Sequence, residues 1–171
     1  MKAVSNSSVL IALSSIGQLS LLKQRFAEGI LIPEAVWREV VDAGGARPGA
    51  GEVRAANWIQ QRSVRDRDYV RLLCAELDTG EAEAIILARQ EQADVVLLDE
   101  KEARRVANRL GMHVLGTVGL LIWARRQELI PSLSEQLKTL QEKGGFRLSQ
   151  ELCLAALDQA GEANNYSKFP T

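Results

Sequence analysis

Apolar residues along this chain follow two rhythms. Short runs, Ala3-Val4-Ser5, Ile30-Leu31-Ile32, Ser63-Val64-Arg65, Val95-Val96-Leu97-Leu98 and His113-Val114-Leu115, read as strands, and between them lie longer stretches with the three-to-four-residue spacing of amphipathic helices. The run at 95–98 is unbroken, as expected of a strand covered on both faces. Pro33 suits the first turn of a helix carrying Val36, Trp37, Val40 and Val41 on one stripe, and Gly44-Gly45 ends it. Further helices are expected over roughly 52–61, 69–77, 80–92 and 100–110, then over 118–126, Pro131 to Lys143 and 149–160. Short strands alternating with helices imply right-handed crossovers and a parallel sheet. The predicted fold class is therefore α/β, a three-layer α/β/α sandwich around a central parallel sheet of four to five short strands. A single domain is expected over 1–160, with a core at about 3–126 and C-terminal helices at about 131–160 that wrap the core or meet a second subunit. The end, 161–171, is expected to be a flexible tail.

Composition narrows the function classes. With 46% hydrophobic and 25% charged residues the chain looks like an ordinary soluble domain. No apolar run approaches the ~18 residues of a membrane helix, and Val9 to Leu13 is too short for a signal sequence; a cytoplasmic protein without membrane partners is expected. His113 is the only histidine, which argues against a His-rich metal site or a Ser-His-Asp triad. Cys74 and Cys153 lie far apart in apolar helical patterns and read as buried, reduced thiols. The net charge of −1 means that any nucleic-acid contact must come from local clusters: Arg62, Arg65, Arg67 and Arg71; Arg104, Arg105 and Arg109; or Arg125-Arg126. The three tryptophans fall in apolar helical patterns and read as core or interface, and no G-x-G-x-x-G turn follows the first strand.

The polar residues at the strand ends carry the chemistry. Asn6 follows the first strand and Asp99 the run 95–98, which puts both at the carboxyl edge of the sheet, where ligands of open α/β folds collect. Glu39 borders the Val36/Val40 stripe, and Glu81 stands over Ala84, Ile85 and Ala88 on a sheet-facing side, whereas Glu83 stacks over Ile86, Leu87 and Gln90. Gathered carboxylates raise one another's pKa, and a hard divalent cation with oxygen ligands removes that cost. Such an ion activates water and stabilises the leaving oxygen of a phosphodiester. A structural reading stands beside this one: Asp78 with Glu81, and Asp99 with Glu102, have the spacing of helix capping boxes.

From Val4 to about Gly119 the chain resembles a PIN domain of the DUF3368 kind. The resemblance rests on Asn6-Ser7-Ser8-Val9-Leu10-Ile11-Ala12-Leu13, Ile32-Pro33-Glu34-Ala35-Val36, Gly80-Glu81-Ala82-Glu83-Ala84-Ile85, Leu97-Leu98-Asp99-Glu100 and Gly116-Thr117-Val118-Gly119, with Gly144-Gly145-Phe146-Arg147-Leu148-Ser149 in the tail. It implies a ribonuclease that uses Mg²⁺ or Mn²⁺ on single-stranded or structured RNA, often the toxin of a toxin–antitoxin pair, with an antitoxin as partner and a homodimer as assembly. Placed by order and spacing, the family's four acidic positions fall on Asn6, Glu39, Glu81 and Asp99. Ser8 and Thr117 match hydroxyl positions near the metal, and Glu34 and Glu83 are the alternatives in a shifted alignment. Apart from the resemblance, Arg104 follows Asp99 by five residues and is the candidate for substrate phosphate, the other reading being a solvated helix face beside Glu100, Lys101 and Glu102. Asn6 departs from the family pattern, which has Asp. The amide oxygen can ligate a hard cation but brings no charge, so a PIN-like module with weak or no catalysis, binding nucleic acid or an antitoxin, is the alternative. The apolar helix at 118–123 with Leu129-Ile130 supplies either the dimer interface or core.

Overall fold

The computed structural model describes residues 1–164, which divide into two compact units, Met1–Gly116 and a second beginning at Thr117. The first holds five parallel strands, β1 Ala3–Ser5, β2 Ile30–Pro33, β3 Ile59–Arg62, β4 Val95–Leu97 and β5 Val114–Leu115, in the order β3-β2-β1-β4-β5. Helices α1 Ser7–Ser15, α2 Ser20–Arg25, α3 Glu34–Trp37 and α4 Ala50–Ala55 lie on the connections from β1 to β3. Helices α5 Arg67–Leu73 and α6 Thr79–Gln90 lead back to β4, and α7 Lys101–Arg109 joins β4 to β5. The chain steps outward from β1 in one direction, then returns and steps outward in the other. Right-handed crossovers then put the two groups of helices on opposite faces, which is the expected α/β/α arrangement.

Alternation along the strands sorts the core. Val4, Leu31, Val96 and Leu98 face the buried side chains of α5, α6 and α7, among them Val70, Leu73, Ile85, Ala103 and Val106. The neighbours Ala3, Ile30, Ile32 and Leu97, fully buried as well, point to the other face.

Four elements differ from the sequence reading. The third strand is Ile59–Arg62, not 63–65, and the helix expected over 52–61 stops at Ala55. Only Ile59 of that strand is buried; Gln60, Gln61 and Arg62 face solvent on the edge of the sheet, so the strand is made by backbone pairing with β2 and leaves little apolar signal. Helix α2, buried through Leu21 and Leu22, has no counterpart in the predicted elements. Pro33 closes β2 and precedes α3 instead of sitting within its first turn. Cys74, expected to be buried, is exposed, because α5 ends one residue before it; Cys153 is buried and both thiols are free.

The second unit contains α8 Thr117–Arg126, α9 Leu133–Gly144 and α10 Gln150–Gln159, which pack on one another. Ser132 and Ser149 cap α9 and α10, accepting from Glu135 N and Leu152 N, and Gly145 ends α9 in the left-handed conformation (φ 61°) that glycine adopts without strain. Glu162, placed by the sequence at the start of a flexible tail, is buried. It accepts from Leu133 N at 2.7 Å and Ser134 N at 3.2 Å and pairs with Arg125 Nε at 2.6 Å. Of the expected tail, residues 165–171 lie outside the described residues. Leu120, Leu121 and Ile130 are buried, while Leu129 is exposed. Among the described residues no helix is long and apolar enough to cross a membrane.

Candidate functional site

The strand order reverses its direction of travel at β1, so the chains leaving β1 and β4 depart toward opposite faces and open a crevice between their carboxyl ends. Asn6 and Asp99 stand at that crevice. Asn6 N donates to Leu97 O at 3.2 Å, which ties the end of β1 to β4. Its side chain is buried and caps α1: Oδ1 accepts from Val9 N at 3.3 Å and from Ser8 Oγ at 3.1 Å. Ser8 thus touches Asn6 through its hydroxyl. Thr117 is fully buried at the start of the second unit.

Glu39 comes from a π-helical turn, Arg38–Asp42, that continues α3 and closes with Ala43 N donating to Arg38 O at 2.8 Å. The wide turn is possible because residue 44 is glycine, whose missing Cβ would lie 2.0 Å from Val40 O. Such turns cluster at functional sites. Glu39 accepts from Ser7 Oγ at 2.5 Å. Glu39 Oε2 and Asp78 Oδ1 lie 3.5 Å and 3.4 Å from the point a Cβ on Gly80 would occupy, so the two carboxylates flank that glycine.

Asp78 and Glu81 form a reciprocal capping box at the start of α6: Glu81 N donates to Asp78 Oδ1 at 2.7 Å and Asp78 N to Glu81 Oε2 at 3.2 Å. The structural reading of this pair is thus realised, with one carboxylate oxygen of each residue engaged in the cap. At the start of α7 the residue before the helix is Glu100, whose side chain makes no capping bond, and Glu102 pairs with Arg105. Glu81 is buried, and burial above all holds its carboxyl above the usual range, with Asp78, Glu100 and Glu39 adding like-charge repulsion against the lowering effect of the Asp78 N–H. A raised carboxyl pKa means that the folded chain holds a proton the unfolded chain has lost, so stability falls as pH climbs from 4.5 through the folded value. In EDTA, Glu81→Gln is expected to raise the melting temperature at neutral pH and to leave it unchanged well below pH 4.5, because Gln keeps the acceptor for Asp78 N. Melting curves at both ends of that range check this; a variant less stable at both would contradict it.

Asp99 is half-buried, just past the end of β4. A Cβ on Gly116 would lie 2.9 Å from Asp99 Oδ1 and 2.7 Å from Arg104 Nη1, so both side chains occupy the space this glycine leaves. Arg104 Nη1 also donates to Leu98 O at 3.0 Å. Gly116→Ala is therefore expected to displace Arg104 or Asp99 and to lower any activity that uses them, without exposing core; a crystal structure of the variant checks it.

The two alternative glutamates turn elsewhere. Glu34 accepts from Ser63 Oγ at 2.7 Å. Glu83, fully buried, accepts from Ala35 N at 3.0 Å and pairs with Arg67 at 2.7 Å. Both residues of the pair on α6 are thus buried, and their partners, not their burial, separate them. Ser7, Asp78, Glu100 and Gly116 also belong to this neighbourhood. Asp78 was legible as a cap; the others carried no signal beyond their adjacency to Asn6, Asp99 and Thr117.

The candidate residues Asn6, Glu39, Glu81 and Asp99 offer oxygen donors only, which suits a hard divalent cation in kind. The donors are not drawn into a closed cage: among the described residues no three His, Cys, Asp or Glu side chains converge on one ion's position. No curated protein and no solved structure matches the chain significantly. A family model does, described as DUF3368: PIN domain, over residues 2–162. With the parallel sheet and the crevice in place, this extent of match makes the chain a member of the DUF3368 family of PIN domains.

Proposed function

We propose that the chain is a divalent-metal-dependent ribonuclease that hydrolyses phosphodiester bonds at the crevice between β1 and β4. The observation that carries this reading is geometric: the carboxylates of Glu39 and Asp78 flank Gly80, 3.5 Å and 3.4 Å from the point its Cβ would occupy, beside the buried Glu81 at the start of α6. Asn6, Glu39, Glu81 and Asp99 are the residues that would hold Mg²⁺ or Mn²⁺, which when bound supplies water activation and stabilisation of the leaving oxygen. Ser7 and Ser8 orient Glu39 and Asn6, and Arg104 is positioned at the Asp99 side of the crevice for a substrate phosphate. A place as toxin of a toxin–antitoxin pair, cytoplasmic residence and homodimerisation belong to the same reading. Single-stranded RNA incubated with purified protein and Mn²⁺ is expected to be cut, and EDTA to stop it; no cleavage at any Mn²⁺ concentration overturns the proposal.

One observation favours a second reading, a PIN-like module with weak or absent catalysis that binds nucleic acid or an antitoxin. Asn6 is neutral, and its amide oxygen already serves Val9 N and Ser8 Oγ. On the first reading Asn6→Asp adds charge to a working site and tightens Mn²⁺ binding about tenfold or more. Calorimetry that detects no Mn²⁺ binding by the wild type at millimolar concentration, with binding appearing in Asn6→Asp, selects the second.

A further inference from the structure

An open groove of about 710 Å³ begins at Asp99 and runs along α7, lined by Lys101, Arg104, Arg105, Asn108 and Arg109. In a chain of net charge −1 this is a local concentration of cations. Lys101, Arg105 and Arg109 succeed one another every fourth residue, which places them along one side of the helix at a rise of about 6 Å per step, a separation matched to that between successive phosphates of a nucleic-acid strand. Arg104, bound to Leu98 O, stands at the Asp99 end. One acidic side chain from outside the groove spans two of these steps: Glu76, in the loop between α5 and α6, pairs with Arg105 Nη2 at 2.8 Å and with Arg109 Nη2 at 3.3 Å. All three side chains are about half exposed, 46% for Glu76, 49% for Arg105 and 54% for Arg109, so these pairs are weak and exchange readily.

We infer that the α7 groove is the track along which a nucleic-acid phosphodiester backbone reaches Asp99, and that Glu76 occupies Arg105 and Arg109 as an internal stand-in for a phosphate. The inference rests on the reading of the crevice as a nuclease site and adds the path of its substrate. A carboxylate bridging two guanidinium groups offers what a bridging phosphate offers: two oxygens and one negative charge. Binding therefore trades Glu76 for phosphate, and Glu76 sets the affinity by competing for the same two arginines. Arg105 keeps its second partner, Glu102, at 2.7 Å, which holds the guanidinium against the helix while Glu76 leaves.

The test is binding without metal. Fluorescence anisotropy of a short labelled oligouridine is measured in EDTA over a range of KCl concentrations. Glu76→Gln is expected to bind about three- to tenfold more tightly than wild type at low salt. The double variant Arg105→Gln/Arg109→Gln is expected to bind at least about tenfold more weakly, with the slope of log affinity against log salt reduced by about 1.4, two phosphate contacts on a single strand. The three positions are exposed, and melting curves confirm folding. A double variant with wild-type affinity and slope, or a Glu76→Gln variant that binds no better, overturns the inference. Because no metal is present, binding that changes as expected in a protein that cuts nothing upholds the track and removes only the nuclease reading.

Discussion

Asp99→Ala is expected to lower Mn²⁺-dependent RNA cleavage by about 100-fold or more. The magnitude follows from what a preorganised charged group contributes at a reacting phosphodiester: loss of one such group costs about 10²–10³ in rate. Asp99 lies just past the end of β4, beside the central strand β1, in the crevice where the strand order reverses. Its surroundings are set by backbone as much as by side chains, since Gly116 supplies the space and Leu98 O fixes the neighbouring Arg104. The variant removes charge from a half-exposed position and leaves the apolar layer of Val96 and Leu98 intact, so its melting temperature is expected to stay near that of the wild type. Asp99→Asn separates charge from shape: it keeps the side-chain volume and an oxygen donor and is expected to retain part of the metal affinity while losing most of the rate. Calorimetry and single-turnover cleavage measure the two separately. Cleavage that survives Asp99→Ala in rigorously purified protein would move the reaction away from this crevice.

Much of this site was legible in the sequence because it depends on the sheet alone. A residue that directly follows a parallel strand is carried to the carboxyl edge whatever its side chain does, so Asn6 and Asp99 could be placed from the strand pattern. Glu39 and Glu81 sit on helices, where the direction of a side chain depends on helical phase. The π-helical turn at Arg38–Asp42 alters that phase for Glu39, and its cause, the close approach of Gly44 to Val40 O, has no signature beyond the Gly-Gly pair. The Ser7–Glu39 bond and the influence of Glu100 on Glu81 join parts of the chain that local pattern cannot relate. The same limit explains β3, an edge strand whose exposed Gln60, Gln61 and Arg62 offer no alternation to read. The basic groove shows the limit differently: the arginines of α7 were visible as a cluster, but their shared partner Glu76 arrives from another connection.

Glu83→Ala is expected to destabilise the fold by roughly 2–4 kcal/mol, the cost of an unpaired buried N–H together with a cavity, and so to lower the melting temperature by about 10 °C. Helix α3 begins after Pro33, which has no side-chain oxygen to cap it, so its first N–H groups need an acceptor from elsewhere. Glu83 provides it from α6, through Ala35 N at 3.0 Å, and Arg67 balances the carboxylate at 2.7 Å. Arg67 is half exposed, which screens the ion pair, so most of the cost is expected to come from the unpaired Ala35 N–H and the space left in the core. Arg67→Ala leaves the fully buried Glu83 carboxylate without its cation and is expected to destabilise as well. Glu83→Gln, which preserves an acceptor for Ala35 N and buries no charge, should cost less than Glu83→Ala. Because α3 continues into the turn that carries Glu39, Glu83→Ala is also expected to reduce cleavage, but as a positioning defect. Far below the melting temperature its rate should recover toward the wild-type value, whereas that of Asp99→Ala should not. A Glu83→Ala protein that melts like the wild type yet cuts nothing would put Glu83, not Glu81, among the residues that act on the phosphodiester.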